Sequence, residues 1–595
     1  MKALKFFLFA AALAVTLSCE KDPQDNGNGN GNENGGENTE KDLTVTLSAT
    51  LPFEGATLTW GSKITYSTDV DEAVEVDLST EGTFTATVSA EATKINVTYG
   101  SSLPAKQAYV NGKFDLGSYP CSGSADIADG DALTVTCTYD FSVVKYEFPS
   151  VNVTEESKVL SLVLTDGENQ YSVDMGEGVA DLFVYIALPY GTYDPSLVLT
   201  GVKAQFDVDG AEFTTDAAQL YTQTITAENC TGRHILVREG DDLQADLNSA
   251  VVGIDDVYVQ GVTFKGVYNL VDGISLYGGW DSDFTDVKGK TILDGEQGGV
   301  VLNTKSNFNN PTVISDFEIR GGKSESDGGG ALIRKNMTLQ NCLITENEGK
   351  NGAGVYVREG GIVRNCIITN NKATSKGGGV QIYKLGTLEN CTVTGNSAAS
   401  DGGGMRLNTG GDVLNCLFAD NTCEGDGASG IAVNGDARNR LINVTIAGNH
   451  NTTSATNTYG IYFNNNGRMT NCIVYGNTVE GVESPAQIYL NHKYPYLWNN
   501  AITADGIKFH AEYDSQRNAG TQYLTADVFT DSAKGDYTLK SDALCIDKGA
   551  TTTVSALQNK FEEEAVYISK FTTDLVGKTR ICGDGIDCGC YEYQK

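Results

Sequence analysis

An all-β fold is predicted, a parallel β-helix preceded by an antiparallel β-sandwich region in two lobes. Three observations predict it. Between about Asp316 and Asn500 the chain six times repeats Asn, a small apolar residue, any residue, a large apolar residue, two more, and Asn. Glycine-rich turns such as Gly328-Gly329-Gly330 and Gly377-Gly378-Gly379 precede most copies. Upstream, runs such as Leu43–Ala49 and Thr83–Val88 alternate apolar and polar residues, with turn signals between them and no convincing helix. Self-similarity at such a period marks a stacked architecture.

The chain has 595 residues, too many for one compact core. Its 42 basic residues face 77 acidic ones, a net charge of -35. No basic excess exists to neutralise phosphates, so nucleic acid is excluded as a partner. Hydrophobic content of 40% allows most of the chain to bury a core.

Residues 1–18 read as a targeting segment. Lys2 and Lys5 precede Phe6–Leu17, an apolar run broken only by Thr16 and too short to span a bilayer. Ser18-Cys19 follows, then Glu20 and Asp22. This resembles a bacterial lipoprotein signal of Bacteroidetes type. The resemblance implies lipidation of Cys19, anchoring in the outer membrane, and display toward the cell exterior; a cleaved secretory signal followed by an ordinary cysteine is the alternative. Residues 19–42 are rich in Asn, Gly and Glu and read as a flexible tether.

Residues 43–228 form the predicted sandwich region. The details Ala56–Trp60, Leu103–Gln107, Gly112–Asp115 and Tyr185–Gly191 resemble the fimbrillin-like lipoproteins, which implies two β-sandwich lobes; a generic immunoglobulin-like spacer is the alternative.

The β-helix is predicted over 229–520. Asp241 or Asp242 can cap a short helix whose Leu243 and Leu247 share a face, and the strand Asp256–Gln260 follows. This resembles the way many right-handed parallel β-helices of the pectin-lyase type begin, with the helix covering an otherwise exposed edge. Ile274–Trp280 and Thr291–Gly295 resemble the opening coils of bacterial surface β-helix proteins. The glycine turns paired with the asparagine motif resemble the polymorphic outer-membrane protein repeat, within the wider pectin-lyase-like group. The repeat match speaks for the fold and only weakly for a function. Residues 521–595 are read as a cap region. Ala543–Gly549, Asp574–Arg580 and Ile586–Glu592 resemble the choice-of-anchor region that closes many extracellular β-helix proteins.

Within the repeat, the motif copies begin at Asn341, Asn365, Asn390, Asn415, Asn443 and Asn471, spaced 24, 25, 25, 28 and 28 residues. After the glycines, strands such as Val355–Arg358 and Val380–Tyr383 place residues one and three inside and two and four outside. About ten coils at about 4.8 Å per strand give a rod on the order of 50 Å. The second asparagines, Asn347, Asn371, Asn396, Asn421, Asn449 and Asn477, fall at turns and are expected to exchange amide hydrogen bonds as a ladder. Cys342, Cys366, Cys391, Cys416 and Cys472 occupy one inward position as small buried hydrophobes. Cys121 with Cys137, and pairs among Cys545, Cys582, Cys588 and Cys590, are candidate disulfides. With four His and no ligand-spaced pair, no metal and no cofactor is expected.

The outward residues offer a candidate binding face: Arg334, Tyr356, Arg358, Gln381, Tyr383, Arg406, Asn408 and Tyr462, with Asn434 and Asn464 beside them. Tyr rings stack on sugars and Arg pairs with uronate carboxylates. Asp327 and Asp401 precede glycine turns nearby. A mixed column of this kind also suits any solvated strand face. No spaced Asp set matches the polygalacturonases, and no lyase calcium motif is present. The expectation is therefore a surface-exposed adhesin-like protein, lipid-anchored, whose ligand is a polysaccharide or a surface protein. An extracellular polysaccharide lyase or glycoside hydrolase is the alternative, and a structural surface or fibre component a further one.

Overall fold

The computed structural model describes residues 40–594 apart from 50, 52–55, 57, 101, 111–112, 115, 117–118, 129, 148–158, 180–182, 202, 227–228, 436–438, 454–458, 484–486 and 550–571. The signal segment, Cys19 and nearly all of the tether lie outside the described residues. Two compact units are present. The first takes in the strand Glu40–Ala49 with Trp60–Gly100 and Cys121–Thr138; the second holds Leu51–Thr59, Ser101–Pro120 and everything from Tyr139 onward.

The first unit is one seven-stranded sheet. The strands Lys63–Thr68 and Thr83–Ser89 stand far apart in its order, yet Tyr66 O–H donates to the Thr87 carbonyl at 3.0 Å. The sheet therefore folds over on itself around Leu43, Val45, Phe84, Ile95 and Val97, all buried. Cys121 and Cys137 are both buried here as free thiols in contact with each other.

The second unit opens with an antiparallel lobe. Its larger sheet runs through Val159–Asp166, Ser196–Gly201, Ala204–Asp209 and Cys230–Val237. A smaller sheet, Phe183–Leu188, Ser142–Glu147 and Leu220–Thr224, supplies more of the core. The strand Cys230–Val237 then changes the architecture. On one edge it pairs antiparallel with Ala204–Asp209, and on the other it pairs parallel with Asp255–Gln260. Arg233 forks onto Asp255 at 2.5 and 2.6 Å, fixing that junction.

From there the chain winds a parallel β-helix of about ten turns. One complete coil shows the order of faces: face one Met337–Gln340, face two Leu343–Thr345, face three Glu348–Asn351 and face four Val355–Arg358. Each strand pairs parallel with its equivalent one coil on. At the start of the stack the helix Leu243–Ser249, capped by the Asp242 side chain, buries Leu243 and Leu247 in the coil core.

The corners explain the motif. Its first asparagine sits left-handed between faces one and two, φ 53° at Asn341 and 54° at Asn365. Asparagine tolerates that region better than most residues. The next residue's thiol donates to the carbonyl two residues back, 3.2 Å for Cys366 to Arg364 O and 3.2 Å for Cys391 to Glu389 O. Cysteine thus packs as an apolar group and satisfies a turned-in carbonyl as well. Between faces two and three the left-handed residue precedes the second asparagine: Glu346, Asn370, Gly395, Asp420.

The second asparagines form a continuous buried ladder. Nδ2 of Asn347 donates to Oδ1 of Asn371 at 3.0 Å, Asn371 to Asn396 at 2.9 Å, and Asn396 to Asn421 at 3.0 Å. Asn421, Asn449 and Asn477 continue the series, and Gln487 ends it by accepting from Asn477 at 2.7 Å. Each backbone N–H from Asn347 through Asn449 donates to the same neighbouring Oδ1. The last glycine of each turn lies against this ladder: a Cβ on Gly330 or Gly354 would stand 2.9 Å from an asparagine Nδ2.

The final segment packs along the outer side of face two. Phe529, Leu539, Cys545, Cys588 and Cys590 cover the outward residues Leu417, Ala447, Ile473 and Ala501.

Candidate binding face

Face four carries the outward residues singled out above, and register sorts them into two columns. Tyr356, Gln381 and Arg406 stand in line on successive coils. Arg334 and Arg358 follow the paired Ile333 and Val357. The period-two reading puts Tyr383 next in that second column. The structure places Lys384 there instead, because a bulge leaves Val357 opposite Ile382 and Arg358 opposite Lys384. Tyr383 is pushed outward and is 43% exposed.

Neighbours draw several of these residues inward. Tyr356 and Gln381 are each 4% exposed. Burial, then the Asp327 carboxylate facing its phenol, pushes the Tyr356 hydroxyl up. Asp327 itself accepts from Asn351 Nδ2 at 2.9 Å. Arg406 donates to Asp401 at 2.9 Å and to Asn408 Oδ1 at 3.0 Å, so its guanidinium is committed within the fold. Burial pushes Asp401 up against the pull of Arg406.

Farther along, amides and phenols bind one another. Asn464 Nδ2 donates to Asn434 Oδ1 and Asn491 Nδ2 to Asn464 Oδ1, both at 3.1 Å. Tyr462 O–H donates to Asn464 Oδ1 and Tyr489 O–H to Asn491 Oδ1, both at 2.9 Å. The rings of Tyr462 and Tyr489 stack at 5.4 Å. This stretch is an outer amide ladder with few unmet donors. Asn491 and Tyr489 belong to it and escaped the sequence reading because their coil has lost the glycine turn.

The other end of face four differs. Arg334, Arg358 and Lys384 stand on three successive coils, about 4.8 Å apart along the stack. Among the described residues neither arginine forms an ion pair, and Nε of each is buried without a hydrogen-bond partner. Burial and the neighbouring Arg358 charge pull Arg334 below the usual guanidinium range. The guanidinium of Arg358 lies 5.1 Å from the Tyr383 ring, which stacks on Tyr356 at 6.4 Å. A carboxylate beside the column belongs to half-buried Glu359, held by Asn307 Nδ2. Among the described residues no three His, Cys, Asp or Glu side chains gather to hold a metal ion.

A family model described as right handed beta helix region matches residues 216–418. No curated protein matches the chain. Among solved structures, a proposed cell adhesion protein of Bacteroides uniformis shares 13% identity over 32% of this chain and 94% of its own, with a TM-score of 0.21. A streptococcal ancillary pilin shares 10% over 32% of this chain and 64% of its own, with a TM-score of 0.14. A leucine-rich repeat protein of Bacteroides thetaiotaomicron covers 78% of this chain and 89% of its own at 9% identity, with a TM-score of 0.14.

Proposed function

We propose that this chain is an adhesin-like protein, anchored by lipid on Cys19 to the outer membrane and facing the exterior, whose β-helix holds an anionic glycan along Arg334, Arg358 and Lys384. The observation that carries the reading is a pair of arginines one coil apart on a rigid parallel scaffold, neither of which forms an ion pair among the described residues. Two guanidinium groups one coil apart also repel, and a carboxylate or sulfate between them turns repulsion into attraction. The Tyr383 ring, exposed beside Arg358, supplies a flat apolar surface for a sugar face.

The test is an array of acidic and neutral polysaccharides read with the folded protein. Binding to acidic glycans is expected, weakening as salt rises. Arg334→Ala with Arg358→Ala should lower affinity at least tenfold while thermal unfolding stays put. Binding that survives the double substitution removes the site, and release of unsaturated sugars from a bound polysaccharide establishes the lyase alternative. Loss of acyl labelling in Cys19→Ala tests the anchor.

A further inference from the structure

A cleft away from face four lies inside the second unit where the antiparallel lobe meets the first coils. Its volume is about 590 Å³, within the range of small-ligand sites. One wall is the outer face of the strands Val159–Asp166 and Asn169–Val179; the other is the loop 281–288. That loop is held in place. Asp281 accepts from Thr285 N at 2.9 Å, Thr285 Oγ1 at 3.0 Å and Lys288 Nζ at 2.8 Å. Trp280 bridges to Val287, and Gln205 Nε2 donates to the Phe284 carbonyl at 3.1 Å. The guanidinium of Arg238 lies 4.9 Å from the Phe284 ring. The cleft is thus walled by ordered elements on both sides.

Its lining carries both signs of charge, largely spent within the fold. Lys106 and Arg238 stand with Asp174, Asp283 and Asp286, while Lys288 is already paired with Asp281. Lys106 faces Asp174 at 3.5 Å. An anionic ligand meets three carboxylates here, and a cationic ligand meets three cations. Between the charges stand Ser161, Gln170, Ser172 and Thr285. The hydroxyls of Ser172 and Thr285 already donate, to Ala105 O and Asp281, so their oxygens are left to accept. Leu160 and Val163 add a narrow apolar strip. Hydroxyl and amide groups beside a few apolar side chains complement a molecule whose every hydroxyl both donates and accepts and whose ring faces carry C–H groups.

We propose that this cleft is a separate binding site for an uncharged oligosaccharide of two to three sugars. The proposal does not depend on the face-four reading, since the two sites share no residue and prefer ligands of different charge.

The test uses the full chain and saturation-transfer NMR with calorimetry on a panel of neutral trisaccharides: α- and β-glucan, mannan, xylan and galactan fragments. At least one is expected to bind saturably. Ser161→Trp, which fills the cleft from the sheet side, should weaken that binding at least tenfold, and the milder Gln170→Ala should weaken it several-fold without altering the fold. Arg334→Ala and Arg358→Ala should leave it unchanged. Absence of binding across the panel overturns the proposal, as does binding that both cleft variants retain. Equal affinity for an acidic trisaccharide, or for a mixed-charge peptide displaced by Ser161→Trp, overturns the assignment to a neutral sugar.

Discussion

The phenol of Tyr537 donates a 2.8 Å hydrogen bond to the Asp420 carboxylate, joining residues 117 positions apart. Asp420 is a left-handed corner between faces two and three, φ 55°. Tyr537 is 3% exposed and packs edge-on against Phe529 at 5.2 Å. The bond therefore fastens the final segment to a turn of the repeat. Tyr537→Phe should cost about 1 kcal/mol, since Asp420 regains water while the ring still packs. Gly448→Ala should cost more: its φ is 62°, and a Cβ there would stand 2.5 Å from the Tyr537 oxygen. Because that clash is with the oxygen, combining the two substitutions should cost less than their sum. Chemical denaturation of the four proteins checks this, and strict additivity would sink the coupling.

The asparagine ladder predicts a strong, directional sensitivity at its centre. Asn396 is fully buried; its Nδ2 donates to Ile368 O and Thr394 O at 2.9 and 3.1 Å, and its Oδ1 accepts from Asn371. Asn396→Ala leaves all of these groups unmet and should cost at least about 3 kcal/mol. Asn396→Asp sets acceptor against acceptor, so burial and those carbonyls favour the protonated acid. Its cost should be smallest at low pH and grow as pH rises, because only the protonated carboxyl donates. Unfolding midpoints from pH 4 to 8 measure the trend; a pH-independent cost contradicts it.

Much of the fold was legible because stacking writes itself into sequence. Asparagine, cysteine and glycine each answer a local constraint: a left-handed corner, a turned-in carbonyl, and close approach to the ladder. Three features were not legible, for stated physical reasons. Gln487 closes the ladder because any primary amide serves, and no repeat announces it. The strand Cys230–Val237 pairs antiparallel on one edge and parallel on the other, and period-two alternation is the same for both. The bulge at Tyr383 changes which side chain follows Arg358 without changing the apolar pattern. A fourth feature left a trace. Leu417 and Ile473 occupy outward positions on face two yet are apolar, which is what a covering segment requires. For the candidate face, the residue types were readable in the sequence but their commitments were not. Arg406 and Tyr462 look like Arg358 and Tyr383 in a column of letters, and only hydrogen-bond partners separate them.

Thiol reactivity offers a check on the core. Burial pushes the thiols of Cys342, Cys366 and Cys391 well above their ordinary range, and all thirteen described cysteines are free. Only the thiolate attacks a reagent, and it must be reached. In the native protein a maleimide should modify half-buried Cys230 and Cys582 first, and leave the column unmodified until denaturant is added. Cys391→Val should be tolerated at a cost of about 1 kcal/mol, for the loss of one S–H···O contact; Val444 already holds that place one coil beyond Cys416. Peptide mass mapping after labelling reads the order, and early modification of Cys366 or Cys391 would contradict the packing.

The last segment should respond to pH through Glu592. Its side chain is 4% exposed, and burial with the nearby Asp587 charge pushes its carboxyl up to about 8 from 4.5, against the pull of Arg580. Arg580 Nε lies 3.9 Å away. The folded value is above the unfolded one, so the fold favours the protonated acid. Its contribution is fully present below about pH 4.5 and is lost as pH rises through about 8. Asp587 is also pushed up by burial and adds to the same trend. Glu592→Gln keeps the shape and removes the titration. It should therefore stabilise the protein at pH 9 by a few kcal/mol relative to the parent, with little difference at pH 4. The slope of stability between pH 5 and 8 should flatten without vanishing, because Asp587 still titrates. Urea unfolding of both proteins at pH 4, 7 and 9 decides it, and a variant no more stable than the parent at pH 9 would mean that Arg580 holds Glu592 ionised in the folded state.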